Sequence, residues 1–285
     1  IYTLDVDGNT VTYSRAGTMG GYDNRYIQNT TKLVSGQLGF GSDMRVGGYV
    51  CDIACVESTQ TCNLKPRPVK KTVELPFVEA KLIDKDKNLY DIGRETAGYL
   101  RVKFKATKPA TAKIAYGQHI TDGGVRYNIW DREFAFNFDL CEGEHEFEQY
   151  FVRMSGRYIQ GILPDGVEIL SVGIMPYIYP LTENGLKLDN ALDQKIYDVC
   201  VRTLRLCMNM HYEDTPWREQ CLYSMDSRNQ MLCGYYAFGE YAFPRSNLLL
   251  MSKCRREDSL LDICFPTGSK LTIPSFSLHY FTQVW

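Results

Sequence analysis

The hydrophobic period of this chain changes once, near Pro180, and that change limits what the chain can fold into. Before it, apolar residues recur at every second position. In Tyr99-Leu100-Arg101-Val102-Lys103-Phe104-Lys105-Ala106 they alternate with Arg and Lys, the pattern of a strand with one wet face. Phe134-Ala135-Phe136-Asn137-Phe138-Asp139-Leu140 repeats the period with large residues on one side. Further strands are predicted at 10–14, 48–56, 112–117, 147–154, 158–163 and 168–175. Turn signals separate them: Asp7-Gly8, Asp122-Gly123-Gly124, Glu142-Gly143 and Asp165-Gly166. Many short strands at this spacing indicate an antiparallel β-sandwich, jelly-roll-like in kind.

After Pro180 the period becomes helical. Over 189–210, Leu192, Ile196, Val199, Thr203, Leu206 and Met210 form one stripe, with Asp189 or Asn190 placed to cap the helix. A second helix is predicted over 225–243, stopped before Pro244. A third spans 246–264 around a weak middle at Arg255-Arg256-Glu257-Asp258, and Pro274 opens a fourth over 275–285. The fold class expected is therefore multidomain β + α: a sandwich over 1–180, then helices over 181–285. At 285 residues the chain is long enough for two cores.

Composition excludes more than it assigns. A net charge of −2 gives no electrostatic basis for nucleic-acid or anionic-membrane binding. No apolar run approaches the roughly 18 residues needed to cross a bilayer. The opening Ile1-Tyr2-Thr3-Leu4-Asp5 has neither the basic nor the apolar region of a signal peptide, and no initiating Met. Of ten cysteines, only Cys51, Cys55 and Cys62 cluster, at a spacing unlike that of structural zinc sites. Cys200, Cys207, Cys233 and Cys264 sit in apolar-patterned segments and read as small buried hydrophobes. Free thiols favour a reducing, cytoplasmic setting over a secreted one. No cofactor or metal is expected. The aromatic share of 13% suits a β core, which must account for most of it, and also carbohydrate-stacking surfaces; the β-domain is expected to be accessory and carbohydrate-binding-like.

The densest chemistry lies in His211-Tyr212-Glu213-Asp214-Thr215-Pro216-Trp217-Arg218-Glu219-Gln220, followed by Asp226-Ser227-Arg228. Charge at that density is costly to bury, so the segment is either a solvated loop or a working site. His211 is placed to orient a carboxylate or bind a hydroxyl, or else to cap the preceding helix. Trp217 and Tyr223 are candidates for stacking on a sugar face. Trp130-Asp131-Arg132 either reaches a ligand from the β-domain or packs, and His279 reads as a half-buried helical histidine.

These residues carry a resemblance. Tyr90-Asp91-Ile92-Gly93 with Ala97-Gly98-Tyr99, then Ala115-Tyr116-Gly117-Gln118, and Phe151-Val152-Arg153-Met154-Ser155-Gly156-Arg157-Tyr158-Ile159 resemble the sandwich strands of the bacterial α-L-rhamnosidases of glycoside hydrolase family 78. Asp214-x-Pro216-x-Arg218-Glu219, with Asp226 after it, resembles the acidic motif in the first loops of that family's (α/α)6 barrel. Thr272-Ile273-Pro274-x-x-Ser277-Leu278 is similar to a later barrel segment. The chain departs from the family at Thr215, where Cys is usual, and at Leu222-Tyr223-Ser224, where Gly-Trp is common.

The resemblance implies an enzyme that releases terminal α-L-rhamnose, or a related sugar, from glycosides with inversion. It implies Asp214, Glu219 and Asp226 lining the sugar pocket, with Glu219 as general acid; Arg218, Trp217 and His211, read from their place in the motif, are the further substrate-binding candidates. A general acid needs its pKa raised by an apolar wall and like-charged neighbours. Trp217 and the flanking aspartates meet that need if Arg218 pairs with Asp214 or Asp226 rather than with Glu219. Glu213 is the alternative acid. Inversion also requires a second carboxylate about 6.5–9.5 Å from the acid, which the resemblance places in late barrel helices. Twelve such helices with their loops take on the order of 300 residues, so the chain is expected to be a fragment that ends before the base. The partner expected is a rhamnosylated glycoside, with no nucleic acid and no membrane; a homodimer is left open. The competing function is a degenerate, non-catalytic carbohydrate-binding protein of the same architecture.

Overall fold

A computed structural model describes residues 66–149, 152–267 and 270–285. Of the first 65 residues it describes the strands within 3–6, 9–12, 20–23, 26–46 and 50–54, with side chains at 34–39, 41, 43 and 44. The predicted turn at Asp7-Gly8 and the cysteine cluster at 51, 55 and 62 lie outside the residues described in full.

Eight strands of an 11-stranded sheet position the site: β1 (Tyr26–Ser35), β2 (Gly39–Val46), β3 (Leu89–Ala106), β4 (Ala110–Gly117), β5 (Ala135–Leu140), β6 (Gly143–Glu148), β7 (Met154–Ile162) and β8 (Val167–Ile178). They pair in the order β1-β2-β5-β4-β7-β3-β8, with β6 also on β3. These pairings are antiparallel except β2 with β5, which runs parallel from Asn137↔Asp43 to Leu140↔Val46. The predicted strand over 147–154 is two strands instead. β6 ends at Glu148 and β7 begins at Met154, and Arg153 between them leaves the ladder to serve the site below.

The 18-residue strand β3 curls the sheet. Its first part pairs with β7 up to Gly98↔Met154, and from Gly98 onward it pairs with β8. The register shift between Asp91 and Thr96 lets one strand serve both. Gly93, at φ +91°, makes that irregularity, and the Asp91 carboxylate accepts its N–H at 2.6 Å. A Cβ at Gly98 would stand 2.0 Å from the Met175 carbonyl oxygen, so only glycine allows β8 to approach there.

Period-2 patterning then selects the core. Leu100, Val102, Phe104 and Ala106 point inward, while Arg101 and Lys103 reach Glu146 and Glu144 of β6 across the wet face. Phe104, Phe138 and Phe147 meet edge-on or tilted with ring centroids 5.1–5.3 Å apart. Each such buried side chain contributes roughly 1.5–3 kcal/mol.

The helices are α1 (Ala191–Leu206), α2 (Ser224–Phe238), α3 (Ala242–Met251) and α4 (Pro274–Val284). Asn190 caps α1, accepting from the N–H groups of Leu192 and Asp193. Val201 and Leu204 are the buried face of α1. The predicted stripe is not: Leu192, Ile196 and Val199 are 64%, 54% and 56% exposed. The helix carries two apolar faces, and the one that packs onto Tyr179, Tyr212 and Met231 is the narrower.

The boundary predicted before Pro244 is also displaced. Gly239, at φ +62°, ends α2, and Pro244 sits in the first turn of α3, where its missing N–H costs nothing. The predicted third helix stops at Met251, before the charged run 255–258. Cys200 and Cys233 are exposed rather than buried, while Cys207 and Cys264 are buried as expected. Among the described residues no helix is long and apolar enough to cross a membrane.

Candidate active site

The segment from Cys207 to Tyr223 connects α1 to α2 and lies against the sheet, which fixes its shape. Trp217 inserts into the sandwich core, 4% exposed, with its ring 5.1 Å from that of Phe134. Arg153, just before β7, holds both sides of the segment. Its Nη1 donates to Glu213 Oε2 at 2.6 Å and its Nη2 to the Leu206 carbonyl at 2.9 Å. Its own carbonyl accepts from Gln220 Nε2 at 3.0 Å. Arg153 and Glu213 are both nearly fully buried, 6% and 2% exposed. A buried ion pair survives desolvation only when hydrogen bonds complete it, and these contacts do so at Nη1 and Nη2, while the buried Nε has no partner among the described residues.

Between these anchors the chain turns back on itself. The Asp214 N–H donates to the Cys221 carbonyl, the Cys221 N–H donates to Asp214 Oδ1, and Gln220 takes φ +55°. The turn brings the Asp214 and Glu219 carboxyls into a mutual hydrogen bond. Two carboxyls in contact cannot both ionise at low cost, so the pair retains a proton. Burial first, then the bond to Glu219, pushes Asp214 up to about 8. Glu219 shifts the other way. Burial alone would raise it, but the bond from Asp214, the Arg218 guanidinium, the Tyr223 hydroxyl and Arg132 together hold it below the usual carboxylate range. The proton therefore rests on Asp214 and the negative charge on Glu219.

This differs from the expected charge arrangement around Glu219. Arg218 pairs with Glu219 itself, Nη1 to Oε1 at 2.5 Å, rather than with Asp214 or Asp226. The turn leaves Glu219 as the ionised member of the pair, so the guanidinium follows the charge. Glu213 is spent on Arg153. Asp226, in the first turn of α2, is raised by burial and then by the nearby Glu219 charge.

The structure thus gathers Asp214, Arg218 and Glu219, with Asp226 close enough to feel Glu219. Trp217 faces the sandwich core instead of a ligand. His211 turns onto its own chain, where Nδ1 donates to the Tyr212 carbonyl at 2.8 Å. Trp130 projects into solvent, but Arg132 does reach the segment: it donates to the Arg218 carbonyl at 2.8 Å and approaches Glu219 at 3.9 Å. Gln37, from the turn between β1 and β2, accepts from Arg132 and donates to the Tyr223 hydroxyl. Gln37 has no sequence signal, being a polar turn residue 186 positions away from its partner. Arg153 has a weak one, a charged residue set among apolar strand positions. Two cavities, about 550 Å³ between α1 and α2 and about 420 Å³ between α1 and the sheet, meet at Asp214. Among the described residues no cluster of three or more His, Cys, Asp or Glu is placed to hold a metal ion.

A strand-rich body followed by a helical array has parallels among solved structures. The chain superposes on the GH78 family rhamnosidase of Bacillus sp. GL1 with a TM-score of 0.62 and 23% identity, over 76% of this chain and 22% of that one. The fold is that of the rhamnosidases. The α-L-rhamnosidase of Aspergillus terreus matches 92% of this chain and 32% of its own, with a TM-score of 0.63 and 17% identity. A Klebsiella oxytoca rhamnosidase solved with rhamnose bound matches 69% and 42%, at 0.59 and 18%. The chain spans less than half the length of these solved structures. No protein-family model and no curated protein matches it. The expected order, a β-sandwich followed by helices, is the one found.

Proposed function

We propose that this chain carries the acid half of the active site of a glycoside hydrolase that releases terminal α-L-rhamnose, or a closely related sugar, from glycosides. The observation that carries this reading is the Asp214–Glu219 pair, which holds one proton up to about pH 8. Glycoside cleavage needs a carboxyl that is still protonated near neutrality to protonate the leaving oxygen. The shared fold directs the choice of sugar, since the Klebsiella structure holds rhamnose.

In this proposal Glu219 delivers the proton to the glycosidic oxygen. Asp214 passes its proton to Glu219 across their hydrogen bond as the C–O bond lengthens, so the pair acts as one acid. Arg218 and Arg132 steady the charge that returns to the pair. Arg218 and Asp226 offer a donor and an acceptor to sugar hydroxyls. Inversion requires a second carboxylate to activate water on the opposite face of the ring.

The test is release of the aryl alcohol from an aryl α-L-rhamnoside by the whole protein, with the anomeric form of the sugar followed by NMR. Glu219→Gln should lower kcat by roughly 10²–10⁴-fold. Unchanged turnover in that variant removes the acid assignment. No release by the unsubstituted protein removes the rhamnosidase reading and favours a protein that binds sugar without cleaving it.

A further inference from the structure

Arg132, Gln37, Tyr223 and Glu219 form a line of polar groups that joins the sheet to the acid pair. Their donor and acceptor capacities fix how the line runs. A guanidinium can only donate, and Arg132 Nη2 donates to Gln37 Oε1 at 3.3 Å. The Gln37 amide therefore presents Nε2 to its other neighbour and donates to the Tyr223 hydroxyl oxygen at 3.2 Å. That oxygen accepts on one side, so its own proton must go elsewhere. Two acceptors are in reach, the Glu219 carboxylate and the Cys264 sulfur. An ionised carboxylate holds a hydroxyl proton more strongly than a sulfur does, so the bond goes to Glu219.

Each group in the line is held from behind. Ser35 Oγ accepts from the N–H groups of Gln37 and Leu38, at 3.2 and 2.9 Å, which closes the turn that carries Gln37. Arg132 Nη1 is held by the Arg218 carbonyl. Phe276 of α4 lies edge-on to the Tyr223 ring, with centroids 6.3 Å apart. Leu222-Tyr223-Ser224 is also where this chain departs from the rhamnosidases it resembles, so the resemblance supplies no role for this hydroxyl.

A role follows from where charge goes in the proposed reaction. While the pair holds one proton, Glu219 accepts from both Asp214 and Tyr223. Once that proton has left for the glycosidic oxygen, both carboxyls are ionised and the bond from Asp214 is gone. Tyr223 is then the neutral donor that stays on Glu219, beside the charges of Arg218 and Arg132. We infer that Gln37 is a positioning residue for the acid: by donating to the Tyr223 hydroxyl it turns that hydroxyl's proton onto Glu219, where it meets the charge that proton delivery leaves behind. The consequence for catalysis rests on the glycosidase reading, and the hydrogen-bond relay does not.

Two measurements on the whole protein test it. The first needs no turnover. The Raman ring doublet of Tyr223, taken as the difference between each protein and its own Tyr223→Phe counterpart, reports what the hydroxyl donates to. It should show donation to an anion in the unsubstituted protein, and should lose that character in Glu219→Gln and in Gln37→Leu. A doublet unchanged in either variant, or one that changes only in Cys264→Ser, overturns the relay. The second compares phenyl and dinitrophenyl α-L-rhamnosides, since only the poorer leaving group depends on the delivered proton. Tyr223→Phe should lower kcat on the phenyl substrate about tenfold, the scale of one hydrogen bond to a charged group, and Gln37→Leu about threefold. On the dinitrophenyl substrate kcat should hardly move, whereas a merely structural defect would lower both alike. Because Gln37 acts through Tyr223, adding Gln37→Leu to Tyr223→Phe should cost nothing further. An additive loss, or equal losses on both substrates, overturns the inference. Gln37→Glu, whose carboxylate would take the Tyr223 proton for itself, should repeat the loss and serves if Gln37→Leu does not fold. A protein that releases neither alcohol overturns the glycosidase reading instead, and the Raman doublet then decides the relay by itself.

Discussion

At the scale of single residues, the site is a problem in where one proton sits. Asp214 is protonated up to about pH 8 because burial and the neighbouring Glu219 both oppose its charge. The sign for stability follows. A group with a raised folded-state pKa contributes its full stabilisation below its unfolded value, near 3.9, and loses it as pH rises through the folded value. Glu219, shifted down, contributes in the opposite sense and only at lower pH, where carboxylates ordinarily titrate. Above pH 5 the Asp214 effect is the largest among the carboxyls, joined in the same sense by Asp226 and Glu95, which burial also raises, and stability should decline towards pH 8. Asp214→Asn should flatten the decline, as urea titrations at the two pH values would reveal; an unchanged slope would mean that Asp214 is ionised at pH 7. The same proton should set the alkaline limb of kcat near pH 8 in the whole protein, and Asp214→Asn should abolish that limb. The resemblance of the motif made Asp214, Glu219 and Asp226 legible as a group. It did not make the partner of Arg218 legible, because that choice follows from the tight turn at Gln220, which no periodic pattern encodes.

At the scale of elements, the alternation over β3 and β5 named the core residues in advance, since a half-buried strand has only one way to hide its large side chains. Helix α1 was harder. Its exposed stripe is as regular as its buried face, and periodicity locates an apolar face without saying what covers it. The end of α2 fell at Gly239 rather than at Pro244, because a left-handed cap stops a helix while proline in a first turn starts one. Least legible was the strand break at Arg153. There a buried guanidinium holds the segment at Glu213 and Gln220, on either side of the acid pair. Arg153→Ala should destabilise the protein by about 3–5 kcal/mol, because Glu213 would be left buried and unpaired. Adding Glu213→Leu should return a large part of that loss, since no charge is then stranded. A chemical-denaturation double-mutant cycle reads the coupling, and additive losses would show that the pair is not mutually dependent.

At the scale of the whole molecule, the sheet and the helices share side chains rather than merely abutting. Trp217, from the helical connection, belongs to the sandwich core, while Arg153, Arg132 and Gln37, from the β portion, hold the residues around Glu219 and Tyr223. Such sharing couples the two portions in unfolding: losing the sandwich core releases Trp217, and releasing Trp217 frees the turn that pairs the carboxyls. The coupling has a built-in reporter. Trp130 and Trp285 are exposed, at 86% and 106%, so a blue-shifted component of the tryptophan emission belongs to Trp217. That emission should move to the red at the same denaturant concentration at which the helical circular dichroism is lost, a single cooperative transition. If the helical signal were lost well before the emission moved, the helices would be melting from an intact sandwich. Trp217→Phe keeps an aromatic ring beside Phe134 but leaves a void, and should lower the common midpoint while keeping both signals together. The acid pair would then be only as stable as the sandwich beneath it. On that basis substitutions at Phe134, which packs on Trp217 in the sandwich core, should weaken turnover at temperatures where the unsubstituted protein is still folded.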